Sequence, residues 1–126
     1  MSQREVALMV AIVVFAVSII AACDDFHAVG VRNDLSRPIL ANFREIEAPG
    51  EVVRESKLPP ERIEPGARWG PVSMGDNSSD VYFFIRWADT GELLGCVHVD
   101  LTRYKTSDKI IVLASSAEPC PEGSTR

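Results

Sequence analysis

Hydrophobic and polar positions follow two different rules along this chain. From Val6 to Ala22, a segment of seventeen residues, every residue except Ser18 is apolar. Asp24 and Asp25 end that regime. Beyond them, apolar residues come in short stretches with a period of two, the spacing of strands with one face buried. The run is slightly longer than a secretory h-region of about 7–15 residues and near the lower limit of a spanning helix, about 17–25. Arg4 precedes the run and the two aspartates follow it, so the positive-inside bias leaves Met1 in the cytoplasm and the remainder outside.

The alternating part predicts about seven strands. Phe26 to Asn33 reads as the first, and Asn33-Asp34-Leu35-Ser36 has turn chemistry. Pro38 to Phe43 reads as a second, with Ile39, Ala41 and Phe43 on one face, and the pair is expected to form a hairpin. Val52 and Val53 suggest a short strand. The segment Lys57 to Gly66 holds Pro59, Pro60 and Pro65, too many for a helix interior or central strand, and is expected to cross an edge. Ala67 to Met74 is a further strand, with Trp69 and Val72 as packing residues. Val81, Phe83, Ile85 and Trp87 then alternate with Tyr82, Phe84, Arg86 and Ala88. Asp89-Thr90-Gly91 suits a tight turn with Gly91 left-handed, and the return strand runs from Glu92 to Leu101. Lys109 to Ala114 is expected to be a buried last strand. The fold class expected is mainly β: a small antiparallel sandwich following an N-terminal hydrophobic signal or anchor helix. The domain division is 1–22, signal or anchor, and 23–126, an extracytoplasmic β domain of 104 residues, enough for one core.

The end of the apolar run resembles a bacterial lipoprotein signal, in which an aliphatic and two small residues precede a cysteine. Ile20, Ala21, Ala22 and Cys23 occupy those places. The resemblance implies diacylglycerol on Cys23, cleavage after Ala22, and retention at the extracytoplasmic face of the cell membrane. The alternative is an uncleaved N-terminal anchor with Cys23 unmodified. The segments Val31-Arg32-Asn33-Asp34, Ile63-Glu64-Pro65-Gly66 and Asp89 to Cys96 resemble small uncharacterised bacterial secreted β-domains of immunoglobulin-like appearance. That likeness implies a fold and no activity.

Composition narrows the function. The net charge is −5, and no basic cluster is present, which disfavours nucleic-acid partners. Of three cysteines, lipid on Cys23 leaves Cys96 and Cys120, an even remainder that in an exported chain argues for a disulfide.

Candidate chemistry is sparse. His27, Cys96, His98 and Asp100 are the one set of metal-ligating types, but a disulfide at Cys96 removes its thiolate, so no metal or cofactor is expected. There is no Gly-x-Ser-x-Gly elbow and no phosphate-binding glycine loop. Glu45 and Glu47 read as a solvated face. Tyr82, Phe84 and Arg86 share a strand face that is either an exposed contact for a protein or glycan partner, or one side of a strand packed on both faces. The reading is a non-enzymatic, membrane-tethered binding or envelope-accessory lipoprotein. The alternatives are a single-pass subunit of a membrane complex and an exported hydrolase.

Overall fold

A computed structural model describes residues 26–48 and 50–125. The signal or anchor segment, Cys23 and the two aspartates lie outside the described residues.

Among the described residues, seven strands are arranged in two sheets. One has the order β4-β1-β7, with β1 at Ala28–Arg32, β4 at Arg68–Ser73 and β7 at Lys109–Leu113. The other has the order β3-β2-β5-β6, with β2 at Ile39–Ile46, β3 at Glu61–Ile63, β5 at Asp80–Trp87 and β6 at Leu93–Asp100. All pairings are antiparallel except β1 with β7. Period-two alternation puts Val29, Val31 and Ile110 from the first sheet into one core with Ile39, Ala41, Val81, Phe83, Ile85, Val97 and Val99 from the second. Burying such aliphatic and aromatic side chains stabilises the fold by about 1.5–3 kcal/mol each.

Strand β1 does not form a hairpin with β2; the two lie in different sheets. Asn33 is the reason. Its side chain is fully buried, and its Nδ2 donates to the carbonyls of Arg37 (2.8 Å) and Ile63 (2.9 Å). Its Oδ1 accepts from the Leu35 N–H at 3.0 Å. Its own backbone exchanges bonds with Ala67 and Gly66. One amide therefore fixes the passage of the chain across the core and joins it to the turn between β3 and β4.

Val52 and Val53 form no strand. Val52 is 69% exposed, and its segment crosses the outer face of the second sheet, where Glu55 N–H donates to the Ser124 carbonyl. Strand β7 is not buried throughout. Ile110 is buried in the core and Val112 packs partly against it, while Ile111 and Leu113 face outward on a side that no described residue covers.

The β5–β6 hairpin forms as its alternation requires, with Gly91 at φ 73° in the turn. Gly95 sits at φ 151° where the ladder bulges, and a Cβ there would lie 2.4 Å from the Glu118 carbonyl oxygen. That close approach brings the C-terminal segment against β6. Cys96 pairs with Glu118 through two backbone bonds, and its Sγ lies at disulfide distance from that of Cys120.

Candidate functional site

Registers within the second sheet define its outer face. Asn42, Phe84 and Cys96 stand in one row, and Arg44, Tyr82 and His98 in the next. Two irregular segments cover the first row, residues 50–58 from one side and 117–125 from the other. Phe84 is consequently buried to 1% exposure. Arg86 is neutralised by a two-pronged bond to Glu55, Nη2 to Oε1 at 2.7 Å and Nε to Oε2 at 3.0 Å. Glu55 is itself buried, and its hydrogen bonds hold the Arg86 guanidinium above its usual pKa. Tyr82, Phe84 and Arg86 thus form no open contact patch: β5 is a central strand packed on both faces.

The metal-ligating residue types are not brought together. His27 Nε2 lies 3.0 Å from the Tyr104 carbonyl oxygen. His98 Nε2 bonds to Asp80 Oδ1 at 2.7 Å, and its ring stacks on Tyr82 at 4.4 Å. Asp100 accepts from the Thr102 hydroxyl at 2.6 Å and from the Thr102 N–H at 3.1 Å, and these bonds hold its carboxyl below the usual range. Among the described residues no group of three such side chains is gathered for a metal ion.

A concavity lies along one edge of β2. Strand β3 pairs with β2 only from Ile39 to Ala41. It reaches no further because Pro59 and Pro60, which lack an N–H, come directly before it. Residues 42–46 therefore have β5 on one side and, among the described residues, no strand on the other. The carbonyl of Ile46 accepts from Ser79 N–H and so points toward β5. Strand groups alternate in direction, so Asn42 and Arg44 also bond toward β5, while the backbone N–H and C=O of Phe43 and Glu45 face the open side.

The groove on that side has a volume of 580 Å³. Its floor is Phe43 against Trp69, ring centroids 5.7 Å apart, with Trp69 set edge-on to the buried Phe83 at 6.3 Å. One wall carries Leu58, which is 73% exposed. Around it stand Glu45, Glu47, Glu51 and Glu61, against the single guanidinium of Arg44. Glu45 Oε1 accepts from the Gly75 N–H at 2.7 Å and the Ser78 hydroxyl at 3.2 Å. Glu51 Oε2 accepts from the Glu47 N–H at 3.1 Å. Among the described residues none of the four has a salt-bridge partner. Asn42 also lines the groove. It is 9% exposed, its Nδ2 makes one long contact of 3.5 Å to the Ser56 carbonyl, and its buried Oδ1 has no partner.

Glu45 and Glu47, read from sequence as a solvated face, are thus part of a shaped surface. The Pro59-Pro60 pair was the available signal for it, since it marks where an edge strand must stop. Pairing of that edge with the aromatic floor was invisible, because Trp69 comes from the opposite sheet.

No family model, curated protein or solved structure matches the chain. Among the described residues no helix is long and apolar enough to cross a membrane.

Proposed function

We propose that this chain is a lipoprotein tethered to the extracytoplasmic face of a cell membrane, and that its β domain is a non-catalytic binding module. The apolar run closing on Ile20-Ala21-Ala22-Cys23 carries this reading. Only a few residues separate Cys23 from β1, so lipid there would hold the domain close to the bilayer. Two sheets sharing one core support the finer assignment of the fold as an immunoglobulin-like sandwich. The Cys96–Cys120 pair suits an oxidising compartment. The groove beside β2 supports binding over hydrolysis. It offers an aromatic floor, backbone donors and acceptors, and carboxylates, which is contact chemistry.

Membrane fractionation with protease accessibility tests this. The protein is expected to sediment with membranes, to resist alkaline carbonate, to dissolve in detergent, and to be cut by protease added outside the cytoplasmic membrane. Recovery from the cytosol, shielded from that protease, would overturn the proposal. A second reading, an uncleaved single-pass anchor in a membrane complex, is favoured by the seventeen-residue run, which is about the minimum that spans a bilayer. A hydrolase remains the alternative if purified protein turns over ester or peptide substrates.

A further inference from the structure

We propose that the open edge of β2 receives an extended, basic segment of a partner polypeptide as an added strand. This deepens the binding-module reading and rests on it. Three independent features of the groove converge on that occupant. The first is backbone geometry. Phe43 and Glu45 direct their N–H and C=O groups into a groove from which β3 has withdrawn, and an extended chain is what satisfies such a row. The second is charge. Glu45, Glu47, Glu51 and Glu61 outnumber Arg44, so a cationic segment is attracted and an acidic one repelled. The third is Asn42, which lines the groove nine-tenths buried with its Oδ1 unpartnered, so the chain's own groups leave the polar lining of this edge incompletely satisfied.

Side-chain placement agrees. Phe43 and Glu45 stand on the same side of β2, Glu47 follows its end, and Trp69 packs against Phe43. A Lys or Arg on an added strand can lay its aliphatic stem across Phe43 and Trp69 while its charged end reaches Glu47 or Glu61. A second copy of this chain is a poor occupant. Pairing β2 with β2 of another copy would bring two sets of the same carboxylates together, and like charges opposed across a strand pair are destabilising. The acidic edge thus selects against self-association and for a basic strand.

The test uses the full chain in detergent or lipid nanodiscs, with hydrogen exchange read at the Phe43 and Glu45 amides. The probes are short capped peptides of alternating Arg and Thr, of Glu and Thr, and of Ser and Thr. A fourth is the Arg/Thr peptide N-methylated along one edge. The Arg/Thr peptide is expected to slow exchange at Phe43 and Glu45, and the N-methylated one to leave it unchanged. Glu47→Gln with Glu61→Gln, both at exposed positions, should weaken Arg/Thr binding about tenfold at low salt. Equal protection by the Glu/Thr or Ser/Thr peptide would overturn the basic partner while leaving a binding module. Binding of the N-methylated peptide as tightly as its parent would overturn strand addition. Protection that rises with protein concentration alone would assign the edge to a second copy. If no probe protects these amides, both the strand proposal and the groove as a binding site fall, while the membrane tether is decided by fractionation.

Discussion

At the scale of single residues, a few polar side chains inside the domain have more effect than their number suggests. Asn33 satisfies two carbonyls, one in the β1–β2 loop and one at the end of β3, and is wholly enclosed. Asn33→Ala leaves both carbonyls without their donor, and the expected loss is about 3 kcal/mol, read from the denaturant midpoint at unchanged slope. Arg86 and Glu55 form the other enclosed pair, with side-chain exposures of 24% and 10%. Arg86→Ala strands the Glu55 carboxylate and should cost about 3 kcal/mol, the lower end for a broken buried pair because Arg86 keeps some contact with water. Replacing both residues with apolar ones should recover much of that loss, which a double-mutant cycle would show. Acid acts on other groups. Asp34 is held below its usual pKa by the Ser115 hydroxyl and N–H, Asp89 by Arg37, and Asp100 by Thr102. Each contributes stability that is complete above the unfolded value, near pH 4, and is lost as pH falls through the lower folded value. Thermal midpoints should therefore be insensitive to these three groups from pH 5 to pH 8 and should fall below about pH 4. A decline between pH 8 and pH 5 would have another cause.

At the scale of elements, the C-terminal segment is the clearest case of chain held by few links. It meets β6 through the Cys96–Glu118 bridge, is pinned at Cys120, and reaches Glu55 through Ser124. The two cysteines are 24 positions apart. Cys120→Ser should lower stability by about 2–5 kcal/mol, with the first loss of hydrogen-exchange protection at Cys96 and Glu55. Gly95→Ala forces a Cβ into the Glu118 carbonyl at a backbone angle that L residues avoid. It should cost about 2 kcal/mol or more and release the same segment. How legible these elements were depended on which interactions define them. Alternation marked β5 and β6 from Val81 to Leu101, because local pattern and tertiary burial agree there. The turn at Gly91 was readable for the same reason. The β1–β2 hairpin was expected because adjacency usually means pairing, and Asn33 overrode it through partners some thirty positions away. Val52 and Val53 carry strand propensity, but their segment passes over the outer face of the second sheet without pairing to it. The exposed side of β7 follows from no described residue covering the first sheet, which strand sequence alone does not record. The groove was half legible: Pro59 and Pro60 fixed where β3 stops, but the meeting of Phe43 with Trp69 needed the two sheets to close over one core.

At the scale of the whole molecule, an apolar segment and a cysteine precede a small β domain whose concave surface is an acidic, aromatic-floored strand edge. The domain's charge of −5 and the carboxylates beside β2 give association with a basic partner a salt dependence, so its on-rate should fall as ionic strength rises through the physiological range. Stopped-flow mixing with the Arg/Thr peptide would show it, and a salt-independent rate would remove charge from the account. The proposed membrane tether, lipid on Cys23, is tested apart from the groove. The most direct measurement is the intact mass of protein extracted from membranes of the native host. The account predicts a chain that has lost residues 1–22 and carries a lipid adduct on Cys23, both abolished in Cys23→Ala. An unmodified chain beginning at Met1 or Ser2 would contradict it and leave the apolar run as a permanent anchor.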